Sequence, residues 1–311
     1  MESILTDLRQ WLHANPEISG QEKNTALYIK NFLKPLRPDK IITNLGGHGI
    51  LALFDSGKQG HSIMFRSEID ALPIEEINTF SYRSKFKNVS HKCGHDGHAA
   101  TLCGFAKKLS EQKISSGKIY LLFQPAEETG EGAQAVMKDP AFNIQPDFVF
   151  ALHNLPGFKK GNIILKEGSF SAAVNSVIIR LYGKAAHAAQ PEDGINPSMA
   201  ISEILKLADS LSNNDDSSED FGIITPIYIN MGTPAYGTAA GYGELHFTLR
   251  SWNNEKLKKL ENSLINSSKF ISKQYSLETK HEFLQTFYAN NNNIEAINIV
   301  REVAKELYYE T

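Results

Sequence analysis

The sequence is poor in the features that announce a compartment or a polymeric partner. It has only two cysteines in 311 residues, Cys93 and Cys103. That is too few for a disulfide framework, so a reduced, cytoplasmic setting is the expectation. No apolar run approaches the roughly 20 residues that cross a bilayer. The opening stretch, Met1 to Gln10, lacks the basic-then-apolar order of a secretory signal. Lys and Arg number 32 against 35 Asp and Glu, a formal net charge of -3. Nothing there attracts nucleic acid or an anionic membrane surface. No internal repeat period is present. What remains, 41% hydrophobic and 22% charged, is ordinary globular material, enough for one large or two ordinary domains.

One stretch departs from that plain background. Residues 90–100 read S-H-K-C-G-H-D-G-H-A-A and crowd His91, Cys93, His95, Asp96 and His98 together. Thiolate, imidazole and carboxylate are the side chains that bind borderline and soft divalent cations. Residues two apart on an extended chain share a side, so Cys93 and His95 can face one centre. Asp96 stands where a helix N-cap is wanted. Ala99, Leu102, Cys103, Ala106 and Leu109 then follow a helical period. The spacing predicts a loop-to-helix junction. The rival chemistry is a nucleophilic Cys93 with His95 as its base.

The flanking chain predicts helices over 3–14 and 22–34, with His13 closing the first and facing its dipole. Short apolar runs at 50–54, 62–65, 119–123 and 148–152 read as strands. The first two suggest a hairpin through 56–60. The last two flank a helical stretch at 132–138, a βαβ order that implies a largely parallel, buried sheet. Strand after strand ends in polar, ligand-type residues: Arg66-Ser67-Glu68-Ile69-Asp70, then Gln124-Pro125-Ala126-Glu127-Glu128, then His153-Asn154. In an open α/β sheet that edge is where sites form. From about residue 171 the pattern changes to strand 174–181, helix 197–211, strands 223–230 and 244–250, helix 257–272 and strand 277–283. That is the β-α-β-β-α-β ferredoxin-like order. A last helix is expected over 294–307.

These residues resemble the M20 family of metallopeptidases and amidohydrolases, in particular the branch of aminoacylases, hippurate hydrolases and indoleacetyl-amino-acid hydrolases. The resemblance is carried by Leu12-His13-Ala14-Asn15-Pro16-Glu17, Asp70-Ala71-Leu72-Pro73, the 91–98 cluster, Gln124 to Glu128, His153-Asn154-Leu155-Pro156-Gly157, and His187 to Pro191. It implies an α/β fold in which a mostly parallel mixed sheet flanked by helices, of the zinc-exopeptidase type, carries an inserted ferredoxin-like α+β lid or dimerisation domain. The catalytic domain would be residues 1–170 and 284–311, and the insert 171–283.

The resemblance further implies a pair of divalent ions, zinc or manganese, with cobalt and nickel as alternatives. They would be held by Cys93, His95, Glu128 and His153. Glu127 would be the general base and His187 the group that polarises the substrate carbonyl. Asp70 and Asp96 would orient the site from behind. Arg250 and Asn154 are candidates for substrate contact. The implied activity is metal-dependent hydrolysis of the amide bond in N-acyl amino acids or related small amides. The alternatives are a metallopeptidase acting on short peptides and an impaired homologue serving as a binding or assembly protein. A homodimer through the insert is expected.

Three departures qualify the resemblance. Glu68 stands where the family usually has a shorter acid. The segment 235–243, A-Y-G-T-A-A-G-Y-G, replaces an Asn-Val-Ile-Pro-type segment. No histidine follows His281, whereas the family uses a late histidine on its second metal. Weaker metal retention is the expectation that follows.

Overall fold

The structure, a computed structural model, describes residues 2–311, the side chain of Glu2 excepted. The chain divides into two units, one running to Asn162 and one spanning Ile163–Thr311. Among the described residues no helix is long and apolar enough to cross a membrane.

The first unit is α/β. Its elements are α1 (Glu2–Ala14), α2 (Lys23–Leu33), β1 (Lys40–Leu45), β2 (Gly49–Asp55), β3 (Ser62–Glu68), α3 (His95–Glu111), β4 (Lys118–Gln124), α4 (Gly132–Lys138) and β5 (Phe148–Ala151). The strands form one sheet in the order β1-β2-β4-β3-β5. β3 pairs in parallel with both β4 and β5, while β1 and β2 run antiparallel. The sheet is therefore mixed, with a parallel half.

Alternation along the strands sets the two faces. Ile50, Ala52 and Phe54 of β2 and Leu121 and Phe123 of β4 pack under Leu8, Leu12, Ile29, Leu33, Leu102 and Ala106 of the three long helices. Leu51, Met64 and Leu122 point the other way, onto Val136 of α4. Each of the large apolar side chains among them contributes about 1.5–3 kcal/mol when fully withdrawn from water.

The hairpin expected between β2 and β3 does not form. β2 sits between β1 and β4, and β4 separates it from β3. The apolar run of β2 buries both faces, as an interior strand does, and it finds its antiparallel partners in β1 and β4. β1 was not anticipated, its apolar Ile41, Ile42 and Leu45 being interrupted by Thr43 and Asn44. β4 and β5 are parallel as expected but are not neighbours, since β3 lies between them.

The second unit comprises β6 (Gly168–Ser171), β7 (Ala173–Tyr182), β8 (Ala186–His187), α5 (Ser198–Ser210), β9 (Gly222–Met231), β10 (Thr238–Ala239), β11 (Tyr242–Ser251), α6 (Asn254–Gln274), β12 (Glu278–Phe287), β13 (Asn290–Asn292) and α7 (Ile294–Glu306). Its main sheet has the antiparallel order β12-β7-β11-β9, with α5 and α6 connecting the strands. This is the ferredoxin-like arrangement. Val177, Ile179 and Leu181 of β7 and Leu245, Phe247 and Leu249 of β11 pack on Ile201 and Ile204 of α5 and Leu257 and Leu264 of α6. Asn253 caps α6 by accepting from the backbone N–H of Glu255 and Lys256. Residues 284–311 are grouped with this unit, and β13 pairs with β6.

Candidate metal centre

The parallel half of the sheet brings three strand exits to one edge. β3 leaves through Glu68 towards Asp70, β4 through Gln124 towards Glu127 and Glu128, and β5 towards His153. The N-terminus of α3 supplies His95 at the same edge. α3 begins two residues earlier than expected. Its N-cap is Gly94, at φ 93, and Asp96 lies inside the first turn without capping. Only glycine fits there: a Cβ on Gly94 would sit 2.2 Å from Asn154 Oδ1.

Five of the expected residues converge. Cys93, His95 and His153 present ligand atoms within 4.8 Å of one another, and so do His95, Glu127 and Glu128. Cys93 Sγ lies 3.3 Å from His153 Nε2, and His95 Nε2 is 3.8 Å from a carboxylate oxygen of both Glu127 and Glu128. Ligands 2.0–2.3 Å from a tetrahedral cation stand about 3.3–3.8 Å apart, so these separations suit a shared ion.

The tautomers suit it too. His95 Nδ1 donates to the Asp70 carbonyl at 3.0 Å, with Asp70 Oδ1 at 3.1 Å. His153 Nδ1 donates to the Asn154 carbonyl at 2.8 Å. Both rings therefore turn Nε2, the nitrogen a metal would take, towards the thiol, as metal-binding imidazoles do. His95 Nε2 and Glu128 Oε1 are buried without a hydrogen-bond partner among the described residues. Two buried polar atoms without partners are costly, and both are of a kind that a bound cation would satisfy.

The electrostatics point the same way. His153 holds the Cys93 thiol below its ordinary range, with His95 adding to the effect against desolvation. In return Cys93 raises His153 to about 9. Burial opposes a charge on His95, but Asp70, Cys93 and Glu68 outweigh it and push the ring up to about 11. Burial raises Glu127 and Glu128. Such a cluster draws positive charge onto itself.

Asp70 is fully buried and organises the centre. Its Oδ2 accepts from Ser19 Oγ at 2.7 Å and from the Glu128 N–H at 2.9 Å. Glu68, the longer acid, is tied into the same network. Its Oε2 accepts from His98 Nδ1 at 2.9 Å while Arg66 holds Oε1. Burial would raise Glu68, but His98, Arg66 and His95 hold it at about 2. Asn154 engages His98, whose Nε2 lies 3.0 Å from the Asn154 backbone N and 2.6 Å from its Oδ1.

Asp96 turns away from the cluster. Its Oδ2 takes His13 Nδ1 at 3.0 Å and Arg9 Nε at 3.2 Å. His13 lies in the last turn of α1, as expected, but meets more than the helix dipole. It is 7% exposed, wedged between Asp96 and Glu76. Glu76, 63 residues on, is the partner that the local sequence does not announce. His91 is buried behind the centre, with neither ring nitrogen partnered among the described residues.

The remaining two candidates belong to the second unit. His187 is exposed on β8, paired with Thr238 of β10, and its Nδ1 accepts from the Ala189 N–H at 3.1 Å. Arg250 is exposed on β11, on the sheet face opposite α5 and α6.

The family model described as peptidase family M20/M25/M40 matches residues 64–311. A hippurate hydrolase of Campylobacter jejuni is 31% identical over 97% of this chain and 79% of its own length. An N-acetyl-L-cysteine deacetylase of Bacillus subtilis is 35% identical over 89% of this chain and 66% of its own. The crystal structure of a dinuclear metal-binding M20 peptidase of Bacillus subtilis superposes with a TM-score of 0.82 at 26% identity, covering 99% of this chain and 81% of that one.

Proposed function

Because the chain belongs to peptidase family M20/M25/M40, we propose that it hydrolyses the amide bond of small N-acyl amino acids at a divalent-metal centre formed by Cys93, His95, Glu128 and His153. The observation that carries the reading is the pair of buried, unpartnered polar atoms, His95 Nε2 and Glu128 Oε1, beside Cys93 and His153. Mixed sulfur, imidazole and carboxylate donors favour zinc, with manganese as the alternative. When bound, such cations lower the pKa of water and polarise the scissile carbonyl.

The protein's own groups do the rest. Asp70 fixes the His95 tautomer and, through the Glu128 N–H, the carboxylate beside it. Glu127 is part-exposed, and burial lifts its carboxyl above the ordinary value. That suits a base that accepts the proton of the attacking water and returns it to the departing amine nitrogen. The roles expected of His187, as a donor to the developing oxyanion, and of Arg250, as an anchor for a substrate carboxylate, belong to the same reading. So do a homodimer and a cytoplasmic setting.

The test is turnover of hippurate and N-acetylcysteine by protein loaded with zinc or manganese. Activity should vanish on chelation. In Glu127→Gln it should fall by about 10²–10⁴-fold with metal content unchanged. In His187→Ala it should fall by about 10²–10³-fold, again with metal retained. A folded, metal-loaded protein inert on every N-acyl substrate refutes the proposal and marks a binding protein instead.

A further inference from the structure

The turn that presents Glu127 and Glu128 is strained. Ala126 has φ 48, the left-handed region that residues with a Cβ avoid. Such a conformation persists only where the surroundings over-determine it, and two contacts do so. The Ala126 carbonyl accepts the Gly132 N–H at 2.9 Å. Gly132 is glycine of necessity, since a Cβ there would lie 1.6 Å from the Pro125 oxygen. The Ala126 N–H donates at 2.8 Å to Oε1 of Glu22, a residue 104 positions earlier in the chain.

Glu22 has no exposure to solvent. A carboxylate at the head of a helix ordinarily caps the helix or meets its dipole, but Glu22 makes no side-chain cap to α2. Glu17 does that work, accepting the Thr25 N–H at 2.8 Å and the Asn24 N–H at 3.2 Å. Glu22 is thereby free to reach inward. Its Oε1 also accepts the Gly20 N–H at 2.8 Å, and its Oε2 has no partner among the described residues. Three residues earlier Ser19 donates to Asp70, which in turn holds the Glu128 N–H. One short segment therefore grips the turn at Ala126 directly and at Glu128 through Asp70.

We propose that Glu22 is a positioning residue: its carboxylate holds the left-handed Ala126 turn and so sets the directions in which Glu127 and Glu128 enter the centre. The role is geometric and needs no charge. One oxygen accepts both N–H groups, and the amide oxygen of glutamine can do the same. The inference rests on the reading of Glu127 and Glu128 given above, and the test below separates the two.

Wild type, Glu22→Ala, Glu22→Gln and a core control, Leu33→Ala, are compared by three measurements. These are zinc and manganese affinity against a chromophoric chelator, hydrogen exchange of the peptide covering 124–130, and kcat and KM on an N-acyl amino acid. Groups that orient metal ligands are worth about 10–100-fold in metal affinity or activity. Glu22→Ala should lose affinity in that range. Its exchange should accelerate at 126–128, and kcat should fall while KM stays within about twofold. Glu22→Gln should stay close to wild type in all three. Leu33→Ala should lose global stability with none of the local changes.

If Glu22→Ala does not fold, Glu22→Asp, which keeps the charge but is one methylene too short, should show the same losses. Unchanged metal affinity and unchanged exchange in the Ala or Asp variant overturn the proposal. So does a Gln variant as impaired as Ala, because charge rather than geometry would then be at work. A wild-type protein that binds metal but cleaves no amide sinks the functional reading alone, since affinity and exchange still decide the role of Glu22.

Discussion

Replacing Asp70 by Asn tests how the centre is assembled, because the carboxylate meets only donors. Oδ2 receives Ser19 Oγ at 2.7 Å and the Glu128 N–H at 2.9 Å, and Oδ1 faces His95 Nδ1 at 3.1 Å. An asparagine amide can keep its oxygen towards Ser19 and Glu128, where two donors converge. Its NH₂ then lands opposite the Nδ1–H of His95. Two opposed donors drive the imidazole proton to Nε2, and the lone pair that faces Cys93 and Glu128 disappears. The change is isosteric, so the fold should survive. The Asp70 carbonyl, 3.0 Å from the same Nδ1, still favours the original tautomer and moderates the loss. Within the usual 10–100-fold range for partners of metal ligands, the lower part applies. Asp70→Asn should bind zinc or manganese about 10–30-fold more weakly, roughly 1.4–2 kcal/mol, measured by chelator competition near neutral pH. Turnover at limiting metal should fall in parallel and recover partly at excess metal. A folded Asp70→Asn protein with affinity within twofold of wild type would refute the argument, since the tautomer would then be set elsewhere.

Other consequences are as direct. After chelation, iodoacetamide should alkylate Cys93, whose thiol His153 and His95 hold below the ordinary range. It should leave Cys103 untouched, since that residue is fully buried and its thiol is pushed up. Reloading with zinc should slow the labelling of Cys93 by at least about tenfold, because a liganded thiolate is a poor nucleophile. Labelling indifferent to metal would instead favour the nucleophilic-cysteine chemistry. In the second unit Glu244 is held at about 2, below its ordinary 4.5, first by the Tyr242 hydroxyl and then by His246, with Arg180 adding to both. A depressed carboxyl contributes stability that is complete above about pH 4.5 and fades as the pH falls through about 2. Glu244→Gln should therefore flatten the fall of the thermal midpoint over that interval. Equal slopes in the two proteins would show that the network is not coupled to folding.

Which parts of this structure could be read in advance follows from how each part is held. The main elements of the second unit were legible, because β11 buries one face and alternates cleanly, and α5 and α6 carry one apolar stripe. β2 misled for the opposite reason. Both its faces are buried, so its sequence reports an interior strand but not its neighbours, and a short polar link to β3 imitated a hairpin. The ligand-type residues were legible because cysteine and histidine are scarce here and stood at strand ends and a helix start.

Asp70 apart, the residues that hold that centre in shape were not legible, and the reason is general. Glu22, Glu76 and Glu17 are all glutamates beside helices or loops, and the sequence offers the same solvated reading for each. Their roles differ by the atom each one meets: the Ala126 N–H, the His13 ring and the first turn of α2. Two of these partners are backbone groups, which carry no residue signature at all. A sequence motif records the side chains that do chemistry; the contacts that aim them are made largely with main chain, and they appear only once the chain has folded back across a hundred residues. Glu17 shows how the assignment is decided. By occupying the helix N-terminus it removes the ordinary employment of a carboxylate at position 22, and a buried carboxylate without that employment has to find donors elsewhere. It finds two, the Gly20 N–H and the amide of the strained turn.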